Sequence, residues 1–277
     1  MTVERGIERR ERRRHDARGV AVSAPELDEL AVEAPLEIRL SGEPLATTMR
    51  SPGDDPALVL GFLLAEGIVS AADQVGTIAH CGSPEDEGYG NVVEVTPGPG
   101  FAFDPDRTGA TRRGTLVTAS CGVCGRASID DLLARLPERV PTPPLSASVL
   151  AAAPSALAAE QPSFARTGSV HAAAALRADG SVLALAEDVG RHNAVDKVVG
   201  RLLRESRLPE AAILTVSGRV SFEIVQKAAV AGIGAVAAVS GPTTLAVDLA
   251  ERVGIVLAGF VRSQGMNVYS HADRLES

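Results

Sequence analysis

The stretch AILTVSGRVSFEIVQKAAVAGIGAVAAVSGPTTLAVDLAERVGIVLAGF, residues 212–260, alternates between two periods. Ala212–Val216, Ala235–Val239 and Gly254–Phe260 are short and almost wholly apolar, as strands buried on both faces are. Between them, Phe222–Ala231 and Thr244–Val253 repeat apolar residues at helical spacing. Ser221 and Thr243 stand as N-caps, and Gly232 and Gly254 as stops. Such alternation calls for a largely parallel sheet covered by helices on both faces.

Upstream, Ser169–Leu176 and Ser181–Ala186 flank Ala178-Asp179-Gly180, a hairpin signal. A helix is expected from Asn193 as N-cap, with Val195, Val198, Val199, Leu202 and Leu203 on one face. Four polar segments each follow a strand: Glu187–Asn193, Ser217–Arg219, Ser240–Thr244 and Phe260–Asn267. In an open α/β sheet the loops at the carboxyl ends of strands form the ligand crevice. Three of these segments also lead into helix N-termini, where free N–H groups and the dipole favour anions. Arg191, Arg219 and Arg262 add charge suited to a phosphorylated ligand. Singly these are ordinary caps and turns, but four on one edge point to a ligand site. None matches a Walker A or G-x-G-x-x-G loop.

The first half is less regular. Leu36–Leu40 and Leu45–Met49 read as paired strands, and Asn91–Val95 as another. Asp55 as N-cap and Pro56 behind it open a helix to Glu66 that Gly67 ends; apolar nearly all round, it should be buried. Residues 96–114 read as an exposed loop and 137–146 as a linker. Alanine-rich 147–160 reads as a helix interrupted by Pro154. The expected organisation is a disordered basic arm (1–25), a smaller α+β N-terminal subdomain (26–146), and an α/β domain of mixed, largely parallel sheet (147–277).

Composition narrows the class. With 45% hydrophobic but only 3% aromatic residues, the core must be built from Ala, Val, Leu and Ile. Three cysteines in 277 residues do not make a disulfide scaffold. No apolar run reaches membrane-spanning length, and no h-region follows the arginine-rich start, so a soluble cytoplasmic protein is expected. Residues 1–18 carry seven Arg against four acids, leaving −11 of the total −8 for the remainder. An acidic body argues against a nucleic-acid binder, and the arm reads as a solvated tail.

The chemistry lies in Ser120-Cys121-Gly122-Val123-Cys124-Gly125. Its glycines permit close approach of another molecule. Arg112, Arg113 and Arg126 lie nearby, and Ser128 with Asp131 marks a short helix start at Ile129–Leu136. Positive charge and a helix N-terminus both favour thiolate, the form that does sulfur chemistry. Two structural readings compete. A zinc site needs two further ligands, which His80-Cys81 could supply. A thioredoxin-like dithiol needs a preceding strand, whereas a Gly/Pro-rich loop precedes this pair.

Cys121-Gly-Val-Cys124-Gly, Glu187-Asp-Val-Gly-Arg-His-Asn-Ala-Val-Asp-Lys197, Ser217-Gly-Arg219 and Asn267-Val-Tyr-Ser-His271 together resemble the formate dehydrogenase accessory sulfurtransferase (FdhD) family. Gly61-Phe-Leu-Leu-Ala-Glu-Gly67 and Thr167-Gly-Ser-Val-His171 fit the same pattern, over about residues 30–274. The resemblance implies a sulfurtransferase that takes sulfur as a cysteine persulfide from a cysteine desulfurase. The acceptor it implies is the molybdenum (or tungsten) bis(molybdopterin guanine dinucleotide) cofactor, a bound substrate destined for formate dehydrogenase. It also implies a homodimer, no resident metal, and a cytidine-deaminase-like three-layer C-terminal domain. Cys121 is then the persulfide carrier and Cys124 its accessory. Phe260, Val261, Arg262, Ser263, Gln264 and Gly265 occupy the cofactor-binding segment, while His171, Arg191, His192 and Ser217 are candidates by location. Ser270 replaces an expected Thr, and the deaminase zinc signature is absent, so deaminase chemistry does not follow from the fold. An escort that binds the cofactor without carrying sulfur is the competing function.

Overall fold

Strand His171–Leu176 (sequence HAAAAL) has small side chains that are buried on both faces. Small residues let layers approach closely on either side, which places this strand inside a sheet rather than at its edge. The computed structural model, which describes residues 6–20, 22–86, 88–111 and 136–276, shows that arrangement.

In chain order the elements are β1 (Ile7–Arg12), β2 (Glu26–Ala31), β3 (Ala34–Leu40), β4 (Glu43–Arg50), α1 (Asp55–Ala65), β5 (Val75–His80), β6 (Val92–Pro97) and α2 (Pro105–Thr111). Then follow β7 (Leu145–Ser146), α3 (Ala147–Ala159), α4 (Pro162–Thr167), β8 (His171–Leu176), β9 (Val182–Asp188), α5 (Arg191–Arg204) and β10 (Ile213–Val216). The chain ends in α6 (Phe222–Val230), β11 (Ala235–Ala238), α7 (Thr244–Val253), β12 (Val256–Arg262), β13 (Gly265–Ser270) and β14 (Leu275–Glu276).

A six-stranded mixed sheet runs in the order β13-β12-β11-β10-β8-β9. The pairs β10–β11 and β11–β12 are parallel, while β8 is antiparallel to both β9 and β10. Alternating residues divide the sheet between two cores. Ala173, Ala175, Leu214, Val216, Val236 and Leu257 face α1, α5, α6 and α7, whereas Ala172, Ala174, Ile213, Ala237 and Ala258 face α3. A smaller sheet, β4-β3-β6-β5, contributes Leu36, Ile38, Val93 and Val95 to the first of these cores.

Two glycines set how the halves meet. A Cβ on Gly61 would lie 2.0 Å from the Asp196 carbonyl oxygen, and one on Gly200 only 1.9 Å from that of Ala57. Helices α1 and α5 therefore cross in backbone contact, which a larger residue at either position would force apart.

Several expectations need correction. Within the arm expected to be disordered, Ile7–Arg12 forms strand β1, antiparallel to β2. Its register sets Arg9 opposite Glu29 and Arg12 opposite Glu26, so the basic segment is neutralised by an acidic one across the ladder. The expected linker packs on the C-terminal body: the Val140 N–H donates to the Val253 carbonyl (2.7 Å), and Leu145 is buried. Pro154 sits inside α3 without breaking it. The Gly/Pro-rich stretch contains α2, whose start is fixed by the Asp104 carboxylate accepting from the Asp106 N–H (2.9 Å). Helix α5 begins three residues early, with Gly190 at the N-cap position; Asn193 turns inward to the Met49 carbonyl and Asp188 instead of capping. The expected helix start at Ile129 lies outside the described residues.

Candidate functional site at the sheet edge

Because β8 runs antiparallel to β10, its first residue lies beside the carboxyl end of β10. The Ser217 N–H donates to the Ala172 carbonyl, and the Ala172 N–H donates to Ser217 Oγ, both at 3.0 Å. The Ser217 hydroxyl also lies 3.5 Å from His171 Nδ1. Burial lowers the His171 pKa, and the neighbouring Arg191 lowers it further against an opposing pull from Asp188. His171 is thus a neutral imidazole with one N–H to offer.

Gly218 lets this group close up. A Cβ there would stand 3.3 Å from His171 Nδ1 and 3.4 Å from Arg191 Cδ. Arg191 opens α5 and is followed by His192, which is turned into the protein with Nε2 2.9 Å from Ser221 Oγ and 3.0 Å from Glu223 Oε2. Burial, then Lys227, Arg191 and His171, push the His192 pKa down to about 3. It is neutral, and its N–H is directed at the Glu223 carboxylate.

The rest of the Glu187–Lys197 string builds the edge and makes no approach to it. Asp188, with 0% exposure, accepts from the Ser51 N–H (3.1 Å), the Gly190 N–H (2.8 Å) and Asn193 Nδ2 (3.1 Å), and pairs with Lys197 Nζ (2.7 Å). Lys197 Nζ also donates to the Ser51 carbonyl at 2.9 Å. These bonds tie the end of β4 to the start of α5. Behind them, Asp196 and Lys227 form a buried pair at 2.7 Å; burial raises the Asp196 pKa to about 6, with Lys227 opposing.

On the other flank, Phe260 adopts φ 52°, unusual for an aromatic residue, while its N–H donates to the Ser240 carbonyl at 3.3 Å. Its ring lies across Gly241, where a Cβ would be 2.7 Å from Phe260 Cζ. Phe260 is 52% exposed. Arg262 Nη1 donates to the Val239 (2.8 Å) and Val261 (2.7 Å) carbonyls, and the tip residues Ser263, Gln264 and Gly265 are exposed. Between α3, α4 and the edge lies a cavity of about 520 Å³, with Pro154, Leu157, Phe164 and Val239 on its apolar walls and His171 and Ser217 at its polar end.

Residues 31–276 match the model of the FdhD/NarQ family. The chain belongs to the FdhD/NarQ family. It is 55% identical over 255 residues to the sulfur carrier protein FdhD of Anaeromyxobacter dehalogenans (strain 2CP-C), covering 90% of this chain and 88% of that one. It is 49% identical over 256 residues to the sulfur carrier protein FdhD of Streptomyces coelicolor, with coverage of 90% and 89%. A crystal structure from Desulfotalea psychrophila, of a protein assigned as a formate dehydrogenase accessory protein, superposes with TM-score 0.75 at 22% identity, covering 98% of this chain and 100% of that one. That likeness speaks for the shared mixed α/β fold.

Within this FdhD/NarQ fold, His171, Arg191 and Ser217 come together at the edge, and His192 stands just beneath. Phe260, Arg262, Ser263, Gln264 and Gly265 border it, but Val261 is 1% exposed and packs in the second core, so its side chain faces away. Cys121 and Cys124, with Arg112, Arg113 and Arg126, lie outside the described residues. His80, weighed as a zinc ligand, has Nε2 2.9 Å from the Asp55 carboxylate, which also binds Arg50. Among the described residues no cluster of three or more His, Cys, Asp or Glu could hold a metal, and no helix is long and apolar enough to cross a membrane. Sequence reasoning missed the cavity walls, Phe164 above all. The signal was present in Gln161-Pro162 and Gly168, a helix start and an αL stop only six residues apart.

Proposed function

We propose that this chain is a sulfur carrier that serves a formate dehydrogenase. Cys121 takes sulfur from a cysteine desulfurase persulfide and delivers it to the molybdenum bis(molybdopterin guanine dinucleotide) cofactor, bound as substrate along the sheet edge. The observation that carries this reading is the Cys121-Gly-Val-Cys124-Gly motif in a chain 55% identical to a protein named as a sulfur carrier.

The chemistry balances without an outside oxidant. The Cys121 thiolate attacks the terminal sulfur of the donor persulfide, forming Cys121-S-SH and releasing the donor thiolate. In delivery, Cys124 thiolate attacks Cys121 sulfur; the S–S bond to the terminal sulfur breaks, and its electron pair leaves with sulfide toward the metal. The disulfide left behind is reduced by a cellular dithiol. Cys124 as mere tuner of the Cys121 thiolate is the alternative, and a Cys124→Ser variant with normal turnover would select it.

The edge supports the acceptor half of this reading. Arg191, Arg219 and Arg262 suit the diphosphates of a guanine dinucleotide. His171, kept toward the neutral form by burial and Arg191, offers one ring donor and one ring acceptor there. We read the strand order β9-β8-β10-β11-β12, with β8 antiparallel to its neighbours, as cytidine-deaminase-like. The same reading holds the protein to be a cytoplasmic homodimer. The test is restoration of formate dehydrogenase activity in a bacterium deleted for its own family member. The wild-type gene restores it and Cys121→Ala does not. Full restoration by Cys121→Ala would replace the sulfur carrier with an escort of the cofactor.

A further inference from the structure

The N-terminal ribbon of β1 and β2 lies almost wholly before residue 31, where the family match begins, yet it contacts α4, the helix that carries Phe164 of the cavity wall. The cavity wall carrying Phe164 is α4, six residues long. A helix that short has too few internal hydrogen bonds to hold itself in place. Its N-terminal end is held from the sheet: the Glu187 carboxylate accepts from the Ser163 N–H (2.9 Å) and the Phe164 N–H (2.8 Å). Its C-terminal end is held from the ribbon. Arg166 Nε and Nη2 donate to the two oxygens of Glu29 at 2.8 and 2.9 Å, a planar two-bond clamp. Glu29 in turn accepts from Arg9 Nη2 at 3.1 Å, so both strands of the ribbon share the clamp. Hydrogen bonds from Arg166 and Arg9 hold the Glu29 carboxyl down to about 2, which keeps the clamp charged at any ordinary pH.

We propose that the ribbon is a positioning element of the ligand site: through Glu29 and Arg166 it fixes the Phe164 wall in the shape the ligand meets. The proposal rests on the reading of the edge as the cofactor site. It assigns Glu29 and Arg166 a role at a distance, because neither lines the cavity.

The chain has no tryptophan, so Phe164→Trp installs a single indole, excited selectively over the two tyrosines, in the wall. In that background, Glu29→Gln, Arg166→Gln and the double variant are compared for acrylamide quenching. The same changes in the native sequence are compared for GDP affinity by calorimetry, with unfolding midpoints as a check on folding. Each single change raises quenching and weakens GDP binding about threefold, and the double variant does no more than either single. Unchanged GDP affinity in all variants of a protein that binds GDP overturns the proposal, whatever the quenching does. If the wild type binds no GDP, the reading of the edge falls by itself. Quenching then decides the ribbon's role: a rise supports its hold on the wall, and no change overturns it.

Discussion

Asp188→Asn is the sharpest test of the claim that the Glu187–Lys197 string is mainly architecture. In the native protein Lys197 Nζ, on a side chain 4% exposed, has one carboxylate partner at 2.7 Å and otherwise faces carbonyls, of Ser51 at 2.9 Å and Glu187 at 3.5 Å. The amide would remove the countercharge and leave an ammonium buried. Breaking a buried pair from one side costs about 3–5 kcal/mol. Lys197→Met should cost less, about 2–3 kcal/mol, because Asp188 keeps three N–H donors. The double variant should fall short of the summed losses by more than about 1 kcal/mol, since neither charge is then stranded. Urea denaturation at neutral pH measures all three through the midpoint at constant slope. A loss under about 1 kcal/mol for Asp188→Asn, or strict additivity, would refute the reasoning.

Two further outcomes follow from the same packing. Gly200→Ala places a methyl 1.9 Å from the Ala57 carbonyl oxygen and must separate α1 from α5. A loss of about 1–3 kcal/mol is expected, and a midpoint equal to wild type would contradict the backbone contact. His192 has a folded pKa of about 3 against an ordinary 6.5, so the unfolded chain takes up its proton first as pH falls. Its share of stability is complete above pH 6.5 and is lost downward toward pH 3, reaching about 2 kcal/mol by pH 5. Asp196, raised from 3.8 to about 6, acts oppositely over its own window, losing stability as pH rises between those values. The comparison must therefore be with His192→Gln, whose stability should drop less on going from pH 7 to 5. Parallel curves would sink the assignment of a neutral buried His192.

The alternating half of the fold was legible because its strands are continuous apolar runs and its helices carry caps. Strands β10 and β11 and helices α6 and α7 fall within a residue or two of their sequence limits. The arm was misread because its charge was summed over residues 1–18, without the acids of the strand it pairs with. The acids of Glu26-Leu-Asp-Glu29, on the strand that pairs with it, offset its charge. Pro154 suggested a break that did not occur, since tertiary packing of Leu150, Ala153 and Leu157 holds α3 together. At the site, the edge loops were visible as polar segments after strands. What could not be read was direction: Val261 points into the core, and His192 turns away from the edge toward Glu223. Glu29 and Arg166 were invisible, because their contact spans more than a hundred residues of chain.

The central claim is that sulfur rides on Cys121. The direct measurement is peptide mass spectrometry after incubation with a cysteine desulfurase and cysteine, against a control without desulfurase. The account predicts one extra sulfur on the Cys121 peptide, absent in Cys121→Ala. No added sulfur on Cys121 or Cys124, in protein that is reduced and metal-free, would contradict it.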